Sequence, residues 1–237
     1  AALVANQHRR LLVGAFSAAS NVSGILAAVD TITALLHTPG AHAVWDYASA
    51  APYAVHLEMN PPHEDAATAA LLAKDALFFS PHKLAGGPQT PGVLVFKKKL
   101  ARRGASATPG GGTIFYVGRE AHVYLKSAEE REEGGTPAIV GAVRCGLAMQ
   151  LQHTVGHAAL GAAEARILAA ARAAWGDRPS LVLLGEKAGG GAARLPIFSL
   201  LVRVHGLFLH HNFVVALLSD LFGIQCRGGC MCAGPYS

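Results

Sequence analysis

The chain has 237 residues, 51% of them hydrophobic and 15% charged, and 20 Lys and Arg against 15 Asp and Glu give a net charge of +5. Such a chain can bury a substantial core in one large or two smaller domains, which excludes a disordered segment. The longest uncharged run, residues 145–163, is interrupted by Gln150, Gln152, His153 and His157 and makes a poor membrane span.

The first residue is alanine and not methionine, no secretory leader is evident, and residues 1–16 already lead into a strand, so the chain reads as a fragment. Residues 10–16 are predicted as a short buried strand and 17–24 (SAASNVSG) as the loop after it. Ile25, Leu26, Val29, Ile32, Leu35 and Leu36 recur at three and four residues, predicting an amphipathic helix ended by Pro39 and Gly40. A second strand at 43–45 runs into Asp46. Strand, helix, strand is the pattern of a parallel α/β sheet with ligand groups at the carboxyl ends of its strands. A carboxylate buried at such an end needs a cationic partner, and a protonated pyridine nitrogen would serve. Asn21 alone reads equally well as a cap for a helix starting near Ser23.

Residues 58–75 form a polar, Pro-rich and then helical connection. Residues 76–79 are an apolar strand that ends in Ser80, Pro81, His82 and Lys83. A loop with Gly86, Gly87, Pro88, Pro91 and Gly92 follows, then a second apolar run. A lysine at the mouth of a buried strand can be partly desolvated, leaving a neutral amine able to form a Schiff base with an aldehyde. Ser80 and His82 can donate to a phosphate, and an aldehyde that carries a phosphate is pyridoxal 5'-phosphate, PLP.

The basic cluster Lys97, Lys98, Lys99, Arg102 and Arg103 has no interleaved aromatic residues to stack on bases. It is read as a solvated strand end running into a flexible segment, 104–112, and not as a nucleic-acid patch. Gly134, Gly135, Thr136 and Pro137 then precede a helix, a favourable place for an anion. Residues 138–175 are predicted as a long helix, loosened by Gly141, Gly146, Gly156 and Gly161 and so possible to break. Strands are predicted at 179–184 and 196–204, and a helix at 213–222 with Asn212 as its cap and Gly223 at its end. Cys226, Cys230 and Cys232 lack the second pair that structural zinc needs, and their bunching is unlike a secreted disulfide framework. Reduced thiols in an intracellular setting, cytoplasm or organelle, are expected. No metal is expected.

The order of these motifs resembles the class V aminotransferases, and within them the cysteine desulfurases and selenocysteine lyases. The resemblance implies an α/β protein of PLP-transferase fold type I. Residues 1–150 would belong to a large, mainly parallel PLP-binding domain lacking its N-terminal part, and 151–237 to a smaller, truncated C-terminal α/β domain. By the same resemblance Lys83 is the Schiff-base lysine, Ser80 and His82 hold the cofactor phosphate, Asp46 pairs with the ring nitrogen, and Asn21 lies near the cofactor and the substrate carboxylate. Ser49 stands where the family usually has glutamine, with a shorter reach to the cofactor. Thr136 would reach the phosphate of a neighbouring subunit, implying a homodimer. Cys232, Ala233 and Pro235 match the family's cysteine loop, after Arg227 and Gly229 on the substrate side, and a nearby arginine favours a thiolate.

The expected activity is removal of sulfur from cysteine through a persulfide on Cys232, leaving alanine and serving a sulfur-acceptor protein. The alternatives are another class V aminotransferase, lyase or epimerase activity, in which Cys232 has no chemical role, and a non-catalytic truncated relative. An amino acid substrate is expected, and neither nucleic acid nor membrane.

Overall fold

The computed structural model describes residues 2–101, 103–176, 178–185 and 192–234; Arg102 and Pro235, singled out above, lie outside them. The chain gathers into two compact units. The first holds Ala1–Phe16, Asp30–Pro52 and His56–Thr154. Its elements begin with α1 (Ala2–Ala5), β1 (Val13–Ser17), α2 (Val29–His37), β2 (His42–Asp46), α3 (Ala66–Leu72), β3 (Ala76–Phe79) and β4 (Val93–Phe96). A four-stranded sheet runs β1-β2-β3-β4, with β2 and β3 parallel and β4 antiparallel to β3. Along β2 the alternation of a strand buries Ala43 and Trp45, whose indole donates to the buried Thr33 hydroxyl of α2 at 2.9 Å.

The helix predicted from Ile25 starts only at Val29. Ile25 and Leu26 have the right spacing for a helix but pair instead with Arg194 and Ala19 as isolated β-bridges. The Lys97–Lys99 cluster is also more than a solvated strand end. Lys97 Nζ donates to the Ala73 carbonyl at 3.0 Å, and Lys99 Nζ meets the buried Asp75 carboxylate at 2.7 Å. That carboxylate also accepts from the Ala43 amide (3.0 Å) and faces His37 Nε2 (2.9 Å) and His42 Nδ1 (3.4 Å). Burial alone would raise the Asp75 pKa, but the bonds from Lys99, the Ala43 amide and His37, with the Lys99 charge, hold it far below the carboxylate range.

The unit continues with the hairpin β5 (Ile114–Val117) and β6 (His122–Tyr124), then α4 (Ala128–Glu132), capped by the Ser127 hydroxyl, and α5 (Ile139–Val155). The glycines of 104–112 are not a loose spacer. The Gly135 amide donates to the Gly111 carbonyl at 2.8 Å, and Gly110 lies so close to Gly134 that a Cβ would sit 3.2 Å from its Cα.

The second unit holds Ser17–Val29, Tyr53–Val55 and Val155–Ser237. It contains α6 (His157–Trp175), a three-stranded antiparallel sheet of β7 (Leu181–Leu183), β8 (Leu200–Val204) and β9 (Leu207–Phe208), and α7 (His211–Phe222). The long predicted helix is therefore two, broken at Gly156, whose φ of +82° suits glycine. Arg194 ties the 17–29 segment down, donating to the carbonyls of Ser23 (2.7 Å) and Ile197 (3.1 Å). At α7 the cap is His210, whose ring accepts from the Asn212 amide; Asn212 is not the cap. Gly223 does end the helix, in the left-handed conformation. No helix among the described residues is long and apolar enough to cross a membrane.

Candidate active site

The first unit carries Asp46, Ser49, Ser80, His82, Lys83 and Thr136. Asp46 ends β2 in register with Phe78 of the parallel strand β3, and the Tyr47 amide donates to the Phe78 carbonyl at 2.8 Å. The two chains therefore leave the sheet side by side, bringing the Asp46 carboxylate and the Ser80–Lys83 turn to adjacent strand ends. One Asp46 oxygen accepts from the Ala48 amide at 2.7 Å; the other has no hydrogen-bond partner among the described residues at this half-buried position. Ser80 precedes the 3₁₀ turn Pro81–Lys83 without capping it through its side chain, so its hydroxyl is not committed there. His82 and Lys83 are exposed, so the described residues do not themselves supply the desolvation expected of this lysine. Ser49 is half-buried. Burial first, then the charges of Asp30 and Glu58, push the neighbouring Tyr47 up to about 12, which keeps its phenol neutral.

Lys83 stands in a stair of three-residue turns. The amides of Lys83, Leu84, Gly87 and Thr90 donate to the carbonyls of Ser80, Pro81, Leu84 and Gly87 at 2.9–3.1 Å. Gly87 is obligatory, because a Cβ there would lie 1.9 Å from the Pro81 oxygen. Helix α5 braces both loops, through residues that sequence reasoning did not single out for the site. Arg144 Nη1 donates to the Pro88 carbonyl (3.0 Å) and Gln89 Oε1 (3.2 Å), and Gln152 Nε2 donates to the Ala51 carbonyl (2.8 Å) beyond Asp46. Their signal in the sequence is polarity in a helix otherwise dominated by Ala, Gly, Val and Leu. Thr136 is exposed three residues before α5.

The second unit carries Asn21, Arg227 and Cys232. Asn21 caps no helix; its Nδ2 donates to the Met231 carbonyl at 2.5 Å, so it anchors the cysteine loop directly before Cys232. Arg227 Nη2 donates to the Cys230 carbonyl (3.0 Å) and to Cys232 Sγ (3.3 Å). The hydrogen bond to Cys232 raises the Arg227 pKa above its ordinary value. Cys232 is exposed with φ +57°, a left-handed conformation uncommon away from glycine. Cys145 contrasts with it: burial pushes that thiol up. All four cysteines are free thiols.

The donor set of the first unit fits PLP. A hydroxyl and an imidazole suit a phosphate, a lysine amine suits an aldehyde, and a carboxylate oxygen beside them suits a protonated ring nitrogen. Residues 5–237 match the family model for aminotransferase class-V. A cysteine desulfurase of Enterobacter sp. (strain 638) is 30% identical over 216 residues, covering 91% of this chain and 48% of that protein. The apo structure of a cysteine desulfurase from Thermococcus onnurineus NA1 superposes with a TM-score of 0.74 at 25% identity, over 94% of this chain and 51% of that one. A cysteine desulfurase of Escherichia coli in an S-sulfonic acid form gives a TM-score of 0.73 at 24% identity, over 99% and 53%. The fold is thus the fold type I architecture of these enzymes, and the chain belongs to the class-V aminotransferase family. It spans about half the length of the curated relatives it matches.

Proposed function

We propose that the protein is a PLP-dependent enzyme that removes sulfur from cysteine. The observation that carries this is the Arg227 guanidinium on the sulfur of the exposed, left-handed Cys232. A guanidinium there stabilises negative charge on sulfur, the form in which a thiol attacks. The similarity to cysteine desulfurases supports the same reading. PLP, when bound, supplies an electron sink for the substrate Cα. Lys83 would hold the aldehyde carbon and move the Cα proton; Ser80 and His82 would hold the phosphate, and the Asp46 carboxylate would keep the ring nitrogen protonated. Ser49 would serve the cofactor, Asn21 the cofactor and the substrate carboxylate, and Arg227 the substrate as well as the thiol. Cys232 attacks the substrate sulfur: a sulfur–sulfur bond forms, the carbon–sulfur bond breaks, and a proton completes the methyl group. Cysteine and a thiol become alanine and a persulfide, which a sulfur-acceptor protein then discharges.

In the full-length protein, Cys232→Ala is expected to lower alanine release from cysteine roughly 100-fold or more while PLP uptake is retained. Turnover equal to that of the unsubstituted protein would assign the site to an aminotransferase, lyase or epimerase reaction instead.

The site is further proposed to be shared between two copies of the chain. Thr136 is exposed, and α5 after it presents Ile139, Val143 and Leu147, all at least 60% exposed, one turn apart on one stripe. If Thr136 holds the phosphate of the partner's site, cofactor affinity and dimerisation are linked and each strengthens the other. Thr136→Ala is expected to weaken PLP retention about threefold to tenfold without unfolding the chain. Sedimentation of apo and PLP-loaded forms over a range of concentrations checks it; a monomer holding PLP equally well throughout would leave Thr136 as a helix-start residue only.

A further inference from the structure

We infer that Arg144 is a positioning residue for Lys83, acting from α5 through the far end of the lysine loop. Lys83 lies near the start of the turn stair, and each step fixes the next through an amide and a carbonyl three residues apart. A stair of this kind is only as fixed as its last step. That step, Gly87 to Thr90, contains a strained residue, because Gln89 inside it holds a φ of +65° without being glycine. Arg144 Nη1 bonds both the carbonyl before Gln89 and the Gln89 side chain, so one guanidinium clamps the residue whose left-handed conformation is disfavoured away from glycine. Gly141, one turn earlier in α5, permits the approach: a Cβ there would be 3.1 Å from Pro91 Cδ and 3.2 Å from the Gln89 carbonyl oxygen. Gln152, two turns further on, bonds the other loop at Ala51, which gives an internal comparison within the same helix.

The role assigned to Arg144 toward the cofactor rests on reading Lys83 as the PLP-binding lysine, whereas the brace itself does not, and the two are tested separately. In the full-length apo protein, hydrogen exchange of the Gly87 and Thr90 amides should quicken roughly tenfold in Arg144→Ala, while the Ala50 and Ala51 amides, held on the Gln152 side, stay unchanged. Arg144→Lys, which can still reach the Pro88 carbonyl, should restore part of the protection. With added pyridoxal 5'-phosphate, the dissociation constant read from visible absorbance should rise roughly tenfold in Arg144→Ala, with partial rescue by lysine. Exchange that is unchanged, or that quickens equally at all four amides, overturns the brace. Selective exchange with unaltered PLP binding overturns the positioning role. An unsubstituted protein that takes up no PLP at Lys83 overturns the functional reading and that role with it, and leaves the brace to be decided by exchange alone.

Discussion

Lys83→Ala is expected to abolish the visible absorbance of lysine-bound PLP and to lower turnover of cysteine roughly 1,000-fold or more, with thermal stability almost unchanged. The two halves of that expectation have different structural causes. Lys83 is exposed, and its backbone amide is held by the Ser80 carbonyl, so truncating the side chain leaves the 3₁₀ turn and its stair in place. Exposed substitutions of this kind shift stability by about 0.5 kcal/mol or less. The chemistry has no such substitute: among the groups at the ends of β2 and β3, the Lys83 side chain, as its neutral amine, is the one able to bond an aldehyde carbon, while Ser80 and His82 can only hold the anion. Absorbance that survives the substitution would move the linkage to another lysine and remove the central claim for this loop.

The Lys83 loop was legible in the sequence because its signals are local. The strand at 76–79 ends where the apolar run ends, and the Gly and Pro residues after it mark turns whatever lies elsewhere. Gly87 shows how far such a signal goes. Its presence reads as a turn, but the need for it comes from the Pro81 carbonyl folding back onto it. Features set by distant partners were not legible. Ile25 and Leu26 have helical spacing, yet they serve as bridge residues, one of them to Arg194, far along the chain. The cap of α7 went to His210 because the helix already starts at His211, and the His210 imidazole accepts from the Asn212 amide inside the first turn.

The candidate residues divide along the same line. Asp46, Ser80, His82 and Lys83 were readable as strand-end chemistry, and their adjacency follows from the parallel register of β2 and β3. Arg144 and Gln152 were not, since an Arg or Gln on a helix is ordinarily solvated and only the fold shows what each one holds. Asn21 is intermediate. Its loop was singled out, but its contact with the Met231 carbonyl spans 210 residues of sequence and makes it a support of the thiol loop.

The second large expected effect concerns stability, and it lies at the other end of β2 and β3 from the candidate site. Asp75 is fully buried, and it gathers Lys99, His37, His42 and the Ala43 amide. Removing it strands a buried amide and the facing imidazoles, whereas Lys99, about half exposed, can turn toward water and costs less. Asp75→Ala is therefore expected to destabilise the first unit by about 3 kcal/mol, read from denaturant midpoints. The pH dependence has a definite sign. The folded-state pKa of Asp75 is depressed below its unfolded value, so its contribution is complete above the unfolded pKa near 3.8 and is lost as pH falls toward the folded one. The stability gap between the unsubstituted protein and Asp75→Asn should accordingly stay constant from about pH 8 to pH 5 and close below about pH 4. A gap that closes between pH 5 and 8 would mean that the carboxylate is not held ionised by these donors.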